Sequence, residues 1–298
     1  MMHSPALHTF FRNHFGCDIR DISAVGGGCI NETWQVSLVN NPRYFVKQNR
    51  LTLRDMFEKE AMGLGILSDA TDSANASDAE KIRVPKVHGI TGDPETGHVF
   101  LILSFVDEGR RSGDFDYRFG RALARMHRNT APQFGLDHDN YIGRLPQKND
   151  CRDNWTDFFI DCRLQPQFAM ARESGYFSGG SQQSLERLCG RLAELLPEER
   201  PSLLHGDLWG GNYLCDDENR AVLIDPAVFY GHREAELAFT TLFGGFGRDF
   251  YRGYEEEFPL QPGFSQRRDI YNLYPLLVHV NLFGGMYVSQ TESILRKY

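Results

Sequence analysis

The sequence predicts an α+β chain of two lobes, a small β-rich lobe over residues 1–104 and a larger, mainly α-helical lobe over 105–298. Three observations predict it. Short alternating or continuous apolar runs, bounded by Gly, Asn and Pro, fill the first third. Beyond a connecting segment at 104–109 the apolar residues recur at helical spacing instead. The chain has 298 residues, 41% hydrophobic and 24% charged, enough for two lobes around a shared cleft and ordinary for a globular protein.

Each element follows in order. Residues 22–25 form a short strand leading into Gly26, Gly27 and Gly28. Residues 33–39 alternate as a strand does, Asn40, Asn41 and Pro42 turn the chain, and Tyr44-Phe45-Val46-Lys47 begins the return strand. Over 53–67, Phe57, Ala61 and Leu64 fall at i, i+4 and i+7, one buried stripe of a helix. Residues 69–80 are small, polar and acidic, a flexible surface loop. Residues 84–87 and 99–103 read as strands about a turn at Gly92-Asp93-Pro94, the second almost wholly apolar as a central strand should be. Phe119, Leu123, Met126 and His127 then space a helix, and 155–172 and 184–196 are helical. Residues 222–225 form a short strand, the tail from 233 onward is helical, and 271–287 is an apolar helix carrying Gly284-Gly285.

Composition excludes several functions. A net charge of −8 disfavours nucleic acid and anionic membranes, which select basic patches, and tolerates an amine-bearing substrate. No apolar run is long enough to span a bilayer and the first residues do not read as a signal peptide, so a cytoplasmic setting is expected. The six cysteines (17, 29, 151, 162, 189, 215) include no CxxC pair, which fits a reducing compartment and argues against a disulfide framework or a zinc site.

The most informative stretch is His205-Gly206-Asp207-Leu208-Trp209-Gly210-Gly211-Asn212, followed by Asp225-Pro226. Phosphoryl transfer rests on positioning and charge neutralisation. A carboxylate such as Asp207 can accept the proton of an attacking hydroxyl, and Asn212 and Asp225 can hold magnesium on a nucleotide. Kinases show the same order: an Asp, an Asn five residues later, then an Asp on the following strand. Asp and Asn capping a polar turn is the plainer alternative, and it does not account for all three spacings. Lys47 lies on a strand after a glycine-rich loop and before a helix with two glutamates. Such a lysine binds nucleotide phosphates and is oriented by a helix Glu. Glu60 is preferred to Glu58, because Ala61, Leu64 and Leu67 set that helix face. Gly26-Gly27-Gly28-Cys29 permits close backbone approach to phosphates but is not a Walker A loop, since no Gly-Lys-Ser/Thr follows.

Asp225 opens the run DPAVFYGHREAELA. With HGDLWGGN, this run resembles the fructosamine/ketosamine kinase family, a branch of the aminoglycoside-phosphotransferase-like, protein-kinase-like fold. The resemblance extends to GGGCIN, YFVKQN, MFEKEAMGL, the stretch 133–167 and LYPLLVHVNLFGGMY, and so covers nearly the whole chain. It implies a bilobal kinase using ATP and Mg2+ to phosphorylate the sugar 3-hydroxyl of ketosamines, either small molecules or glycated protein lysines, with release of the amine. By the match Asp207 is the base, Asn212 and Asp225 bind magnesium, Lys47 and Glu60 anchor phosphates, and Ser104, Phe105 and Val106 meet adenine. Trp209 would wall the sugar-amine, or belong to the core. His232 and Arg233 match as substrate residues, although Arg233 and Glu234 could equally form an ion pair bracing the loop. A thiol at Cys29, among backbone amides, would be a redox candidate that blocks ATP or links two chains, or simply a small residue. Asp-Pro stands where protein kinases carry Asp-Phe-Gly, and no phosphorylated activation segment is evident. A monomer or weak homodimer is expected. HGD…N…D alone also permits an aminoglycoside- or choline-type kinase, and a nucleotide-binding protein without catalysis is the remaining class.

Overall fold

The structure is a computed structural model that describes residues 4–26, 30–72 and 80–298. Helix α1 (Pro5–Phe15) opens with the Ser4 hydroxyl accepting from Leu7 N–H and closes at Gly16, whose φ of 63° suits glycine. Strands β1 (Ile19–Ala24), β2 (Glu32–Leu38) and β3 (Arg43–Arg50) form a meander, followed by α2 (Arg54–Asp72), β4 (Val87–Asp93) and β5 (His98–Ser104). All five strands are antiparallel, in the order β1-β2-β3-β5-β4. Residues 99–103 of β5 are all apolar because both faces of the strand are covered. Phe100 and Ile102 pack with Leu7 and Phe11 of α1, while Val99, Leu101 and Leu103 pack with Phe57 and Leu64 of α2.

The rest of the chain is mostly helical. In order come α3 (Phe115–Met126), β6 (Asn140–Ile142), β7 (Leu145–Gln147), α4 (Trp155–Phe159), α5 (Gln165–Glu173), α6 (Gly179–Cys189) and α7 (Leu192–Leu195). Then follow β8 (Ser202–Leu204), β9 (Tyr213–Cys215), β10 (Ala221–Leu223), β11 (Phe229–Gly231), α8 (Arg233–Thr240), α9 (Arg248–Glu257), α10 (Phe264–Phe283) and α11 (Met286–Leu295). Strand β9 pairs with β10 and β8 with β11, which brings the stretch between β8 and β9 beside the stretch between β10 and β11. Helices α3 and α9 cross at two glycines. A Cβ on Gly120 would fall 1.9 Å from the Phe250 carbonyl oxygen, and one on Gly253 2.1 Å from that of Tyr117.

Several elements differ from the sequence expectation, each for a local reason. Helix α2 runs through Asp69 to Asp72, because Ala70 and Thr71 are buried; of the loop expected over 69–80, residues 73–79 lie outside the described part. The strand expected over 84–87 begins only at Val87 and runs through Gly92, after Pro85, which has no N–H to donate to a ladder. Gly190 ends α6 and separates it from α7. The helix expected over 271–287 starts at Phe264 and breaks at Gly284 and Gly285, whose φ values are 68° and 47°. Over 155–173 the helix is continuous but widens to a π segment at 160–164.

Candidate active site

The β8–β9 connection carries His205 to Asn212. Gly206 takes a φ of 85°, and a Cβ there would lie 2.0 Å from the Ala227 carbonyl oxygen, so only glycine lets the loop pass the chain after Asp225. His205 is buried. Its Nε2 lies 2.9 Å from the Ile224 carbonyl oxygen, and its Nδ1 accepts from Asp207 N–H at 3.3 Å. A carbonyl can only accept, so these partners assign the proton to Nε2. Burial lowers the imidazole pKa and keeps it neutral.

Glu236 of α8 holds this loop from behind. Its carboxylate accepts from His205 N–H (3.1 Å) and Gly206 N–H (2.7 Å) and lies 2.9 Å from His127 Nε2; His127 Nδ1 is 2.7 Å from the Tyr254 hydroxyl. Burial alone would raise the Glu236 pKa, but His127, His205 and the Gly206 amide outweigh it and hold the carboxyl below its usual value. Sequence reasoning missed Glu236, His127 and Tyr254. The available signal was an acid at 236 inside the otherwise apolar turn Ala235-Glu236-Leu237-Ala238.

Asp207 is partly buried. Asn212 Nδ2 donates to its Oδ2 at 2.9 Å and to its carbonyl oxygen at 2.8 Å. Burial pushes the Asp207 carboxyl well above the carboxylate range; the Asn212 bond opposes that, and Asp225 and Glu236 add to it. Because the Asn212 amide nitrogen serves Asp207, Oδ1 is the Asn212 atom left to act as a ligand. Asp225 adopts a left-handed φ of 56°, a conformation that Asp tolerates better than most residues. Its side chain is half-exposed, and one oxygen lies 2.5 Å from Lys47 Nζ. Lys47 also lies 2.5 Å from Glu60 Oε1, while Glu58 pairs with Arg54. Burial would lower the Lys47 pKa, but the two carboxylates reverse this and raise it, so the ammonium is retained. Lys47, Glu60, Asp225, Asn212 and Asp207 thus converge from β3, α2 and two loops.

The remaining expected residues divide. Gly26 is exposed, and Gly27, Gly28 and Cys29 lie outside the described residues. The Ser104 hydroxyl is paired with His88 Nε2 at 2.9 Å, the Phe105 ring lies under the Arg43 guanidinium, and Val106 is partly buried. The Trp209 indole is 40% exposed and lies over Gly211, where a Cβ would be 2.4 Å from its ring. His232 and Arg233 need correction as substrate residues, since both are buried with internal partners. His232 caps α8, accepting from Glu234 N–H and donating to the Pro197 carbonyl. Arg233 makes two bonds to Glu199 and lies against the Phe258 ring. Arg233 and Glu234 do not pair with each other either; Glu234 binds Arg267.

A small cavity of about 30 Å3, space for about one water, adjoins Asp207 on the side of α10. Trp155, Phe159, Phe229, Tyr274, Val278 and His279 contribute to its walls. Among the described residues no helix is long and apolar enough to cross a membrane.

The chain is similar to known proteins over nearly all of its length. A candidate ketoamine kinase from Synechocystis sp. is 39% identical, with 94% of this chain and 90% of the relative aligned. A chloroplastic protein-ribulosamine 3-kinase of Arabidopsis thaliana is 38% identical over 94% of this chain and 83% of its own. The crystal structure of a candidate fructosamine-3-kinase from Haemophilus somnus 129PT superposes with a TM-score of 0.86 at 29% identity, covering 98% of this chain and 96% of that one. The fructosamine kinase family profile matches residues 3–298, and the chain therefore belongs to the fructosamine kinase family.

Proposed function

We infer that the chain is an ATP-dependent ketosamine kinase that phosphorylates the sugar 3-hydroxyl of ribulosamine or fructosamine adducts, on small amines or on protein lysines. Family membership supports the reaction class and the use of ATP. The observation that carries the mechanism is the convergence of Asp207, held by Asn212, with the Lys47–Glu60–Asp225 cluster. Asp207 takes the proton of the sugar hydroxyl as that oxygen bonds the γ-phosphorus. The bond between the γ-phosphorus and its bridging oxygen breaks, and ADP departs with that electron pair. A carboxyl whose pKa is raised by burial is a better base for this step than a solvated one. Glu236 fixes the backbone from which Asp207 projects, and Lys47 offers its ammonium to phosphate oxygens.

Mg2+ fits the same residues. Asn212 Oδ1 and the Asp225 carboxylate are hard oxygen donors, and they would hold an ion that supplies neutralisation of phosphate charge. Among the described residues no group of three His, Cys, Asp or Glu forms a metal cage, which suits an ion that completes its shell with phosphates and water. Gly26, with Gly27, Gly28 and Cys29, would cover the phosphates, while Ser104, Phe105 and Val106 would border adenine. We place the lobe division after Ser104, where the sheet ends, and expect a cytoplasmic monomer or weak homodimer.

An ADP-release assay tests this reading on ribulosamines, fructosamines, free amines, choline and aminoglycosides. Magnesium-dependent turnover restricted to the ketosamines is expected. Equal turnover of plain amines or aminoglycosides would remove the assignment.

A further inference from the structure

Large apolar side chains lie exposed beside the catalytic loop. Phe243 is 38% exposed, Phe283 62% and Met286 78%. His279 sits among the aromatic rings, its ring centroid 4.5 Å from that of Phe243, 5.0 Å from Tyr287 and 5.5 Å from Phe283. This aromatic shelf is continuous with the active site in two ways. His279 lines the same cavity as Asp207. The turn after Phe243 touches the catalytic loop so closely that a Cβ on Gly245 would fall 2.8 Å from Gly210 Cα.

We propose that this shelf binds the amine-bearing part of the substrate, a protonated secondary amine and its alkyl chain of the lysine type. The proposal rests on the ketosamine reading above. In a ketosamine the nitrogen on C1 and the reacting hydroxyl on C3 flank one carbonyl carbon. A sugar poised at Asp207 must therefore deliver its nitrogen and chain to an adjoining wall. Aromatic faces attract cations and cover methylenes. His279 contributes an acceptor: its Nδ1 lies 2.7 Å from the Pro275 carbonyl, which can only accept, so Nδ1 carries the proton and Nε2 is free of it. Burial lowers the His279 pKa, which keeps that lone pair available. The break at Gly284 and Gly285 ends α10 just after Phe283, whose ring stands 6.5 Å from that of Tyr287 on α11.

The test compares kcat/KM for two substrates with one sugar. One carries it on the ε-amine of N-α-acetyl-lysine, the other on ammonia, with no chain. The variants are Phe283→Ala, an exposed site where folding is not at risk, and Phe243→Leu, which keeps bulk but removes the π face; Phe243→Tyr restores it. The preference for the lysine adduct should fall about tenfold in Phe283→Ala and Phe243→Leu through KM, and return in Phe243→Tyr. An unchanged preference with normal turnover would overturn the shelf alone. If Phe283→Ala instead dissociates a dimer without altering the preference, the patch is an interface between copies and the proposal fails. A wild-type enzyme that turns over neither ketosamine would overturn the functional reading and the shelf with it.

Discussion

At the scale of single residues, the carboxyl of Asp207 links the proposed catalysis to stability. Its pKa in the folded chain is raised above the unfolded value. Its stabilising contribution is therefore complete below about pH 3.9 and is lost as pH rises through the folded value. Above the folded value the ionised group costs stability, so Asp207→Asn should abolish turnover and, measured there, raise the melting temperature of the metal-free protein by about 2 °C. Calorimetry with an ADP assay checks both. The acid limb of kcat/KM should lie above the ordinary carboxylate range. Glu236 acts through the backbone. Glu236→Gln should lower kcat about tenfold or more with little change in KM for nucleotide, because it loosens the His205–Gly206 amides without touching substrate. Equal losses in kcat and in nucleotide affinity would argue for general destabilisation instead. The Asp207, Asn212, Asp225 and Lys47 set was legible in the sequence because these residues lie on one strand and two loops that are close in sequence to the strands framing them. The burial of His232 and Arg233 was not, because their partners Pro197, Glu199 and Phe258 lie 25 or more residues away.

At the scale of elements, the crossing of α3 and α9 is the most demanding contact. Each helix gives the other a glycine at the point of closest approach. Gly253→Ala should cost about 1–3 kcal/mol, since its methyl would overlap the Tyr117 backbone rather than a flexible side chain. Chemical denaturation measures this, and a change under about 0.5 kcal/mol, the ordinary surface range, would show that the helices slide apart freely. Helical spacing located α3, while α9 fell in a tail read only as helical, and nothing in the sequence paired the two. The glycine that matters to α9 packs against a residue from a helix 130 or more positions earlier. Gly284 and Gly285 were visible as residues, yet read as passengers of one apolar helix; their positive φ values make them its end. The meander of β1 to β3 was easier to read, because its turns are local.

At the scale of the whole molecule, acid should unfold the protein early. His205 and His232 are buried with pKa values lowered by that burial. Above about pH 6.5 both folded and unfolded chains hold them neutral. As pH falls below that, the unfolded chain takes up protons that the folded chain resists, and stability declines by at most about 1.4 kcal/mol per pH unit for each histidine. Melting curves between pH 7.5 and about 5.5 should show the decline beginning below about pH 6.5; a flat profile would mean that these rings accept protons in place. The succession of an N-terminal sheet and a mainly helical C-terminal part was legible from the change in periodicity along the chain. How the parts meet was not. Lys47 comes from the first sheet and Asp225 from the loop between β10 and β11, and their ion pair joins the two. On the proposed reading, that pair lies where nucleotide phosphates would bind, so a nucleotide would exchange with Asp225 for the Lys47 ammonium, a competition within the chain itself. Asp225→Asn should then bind metal-free ADP more tightly than the wild type while losing magnesium-dependent turnover, an inversion that titration calorimetry would detect.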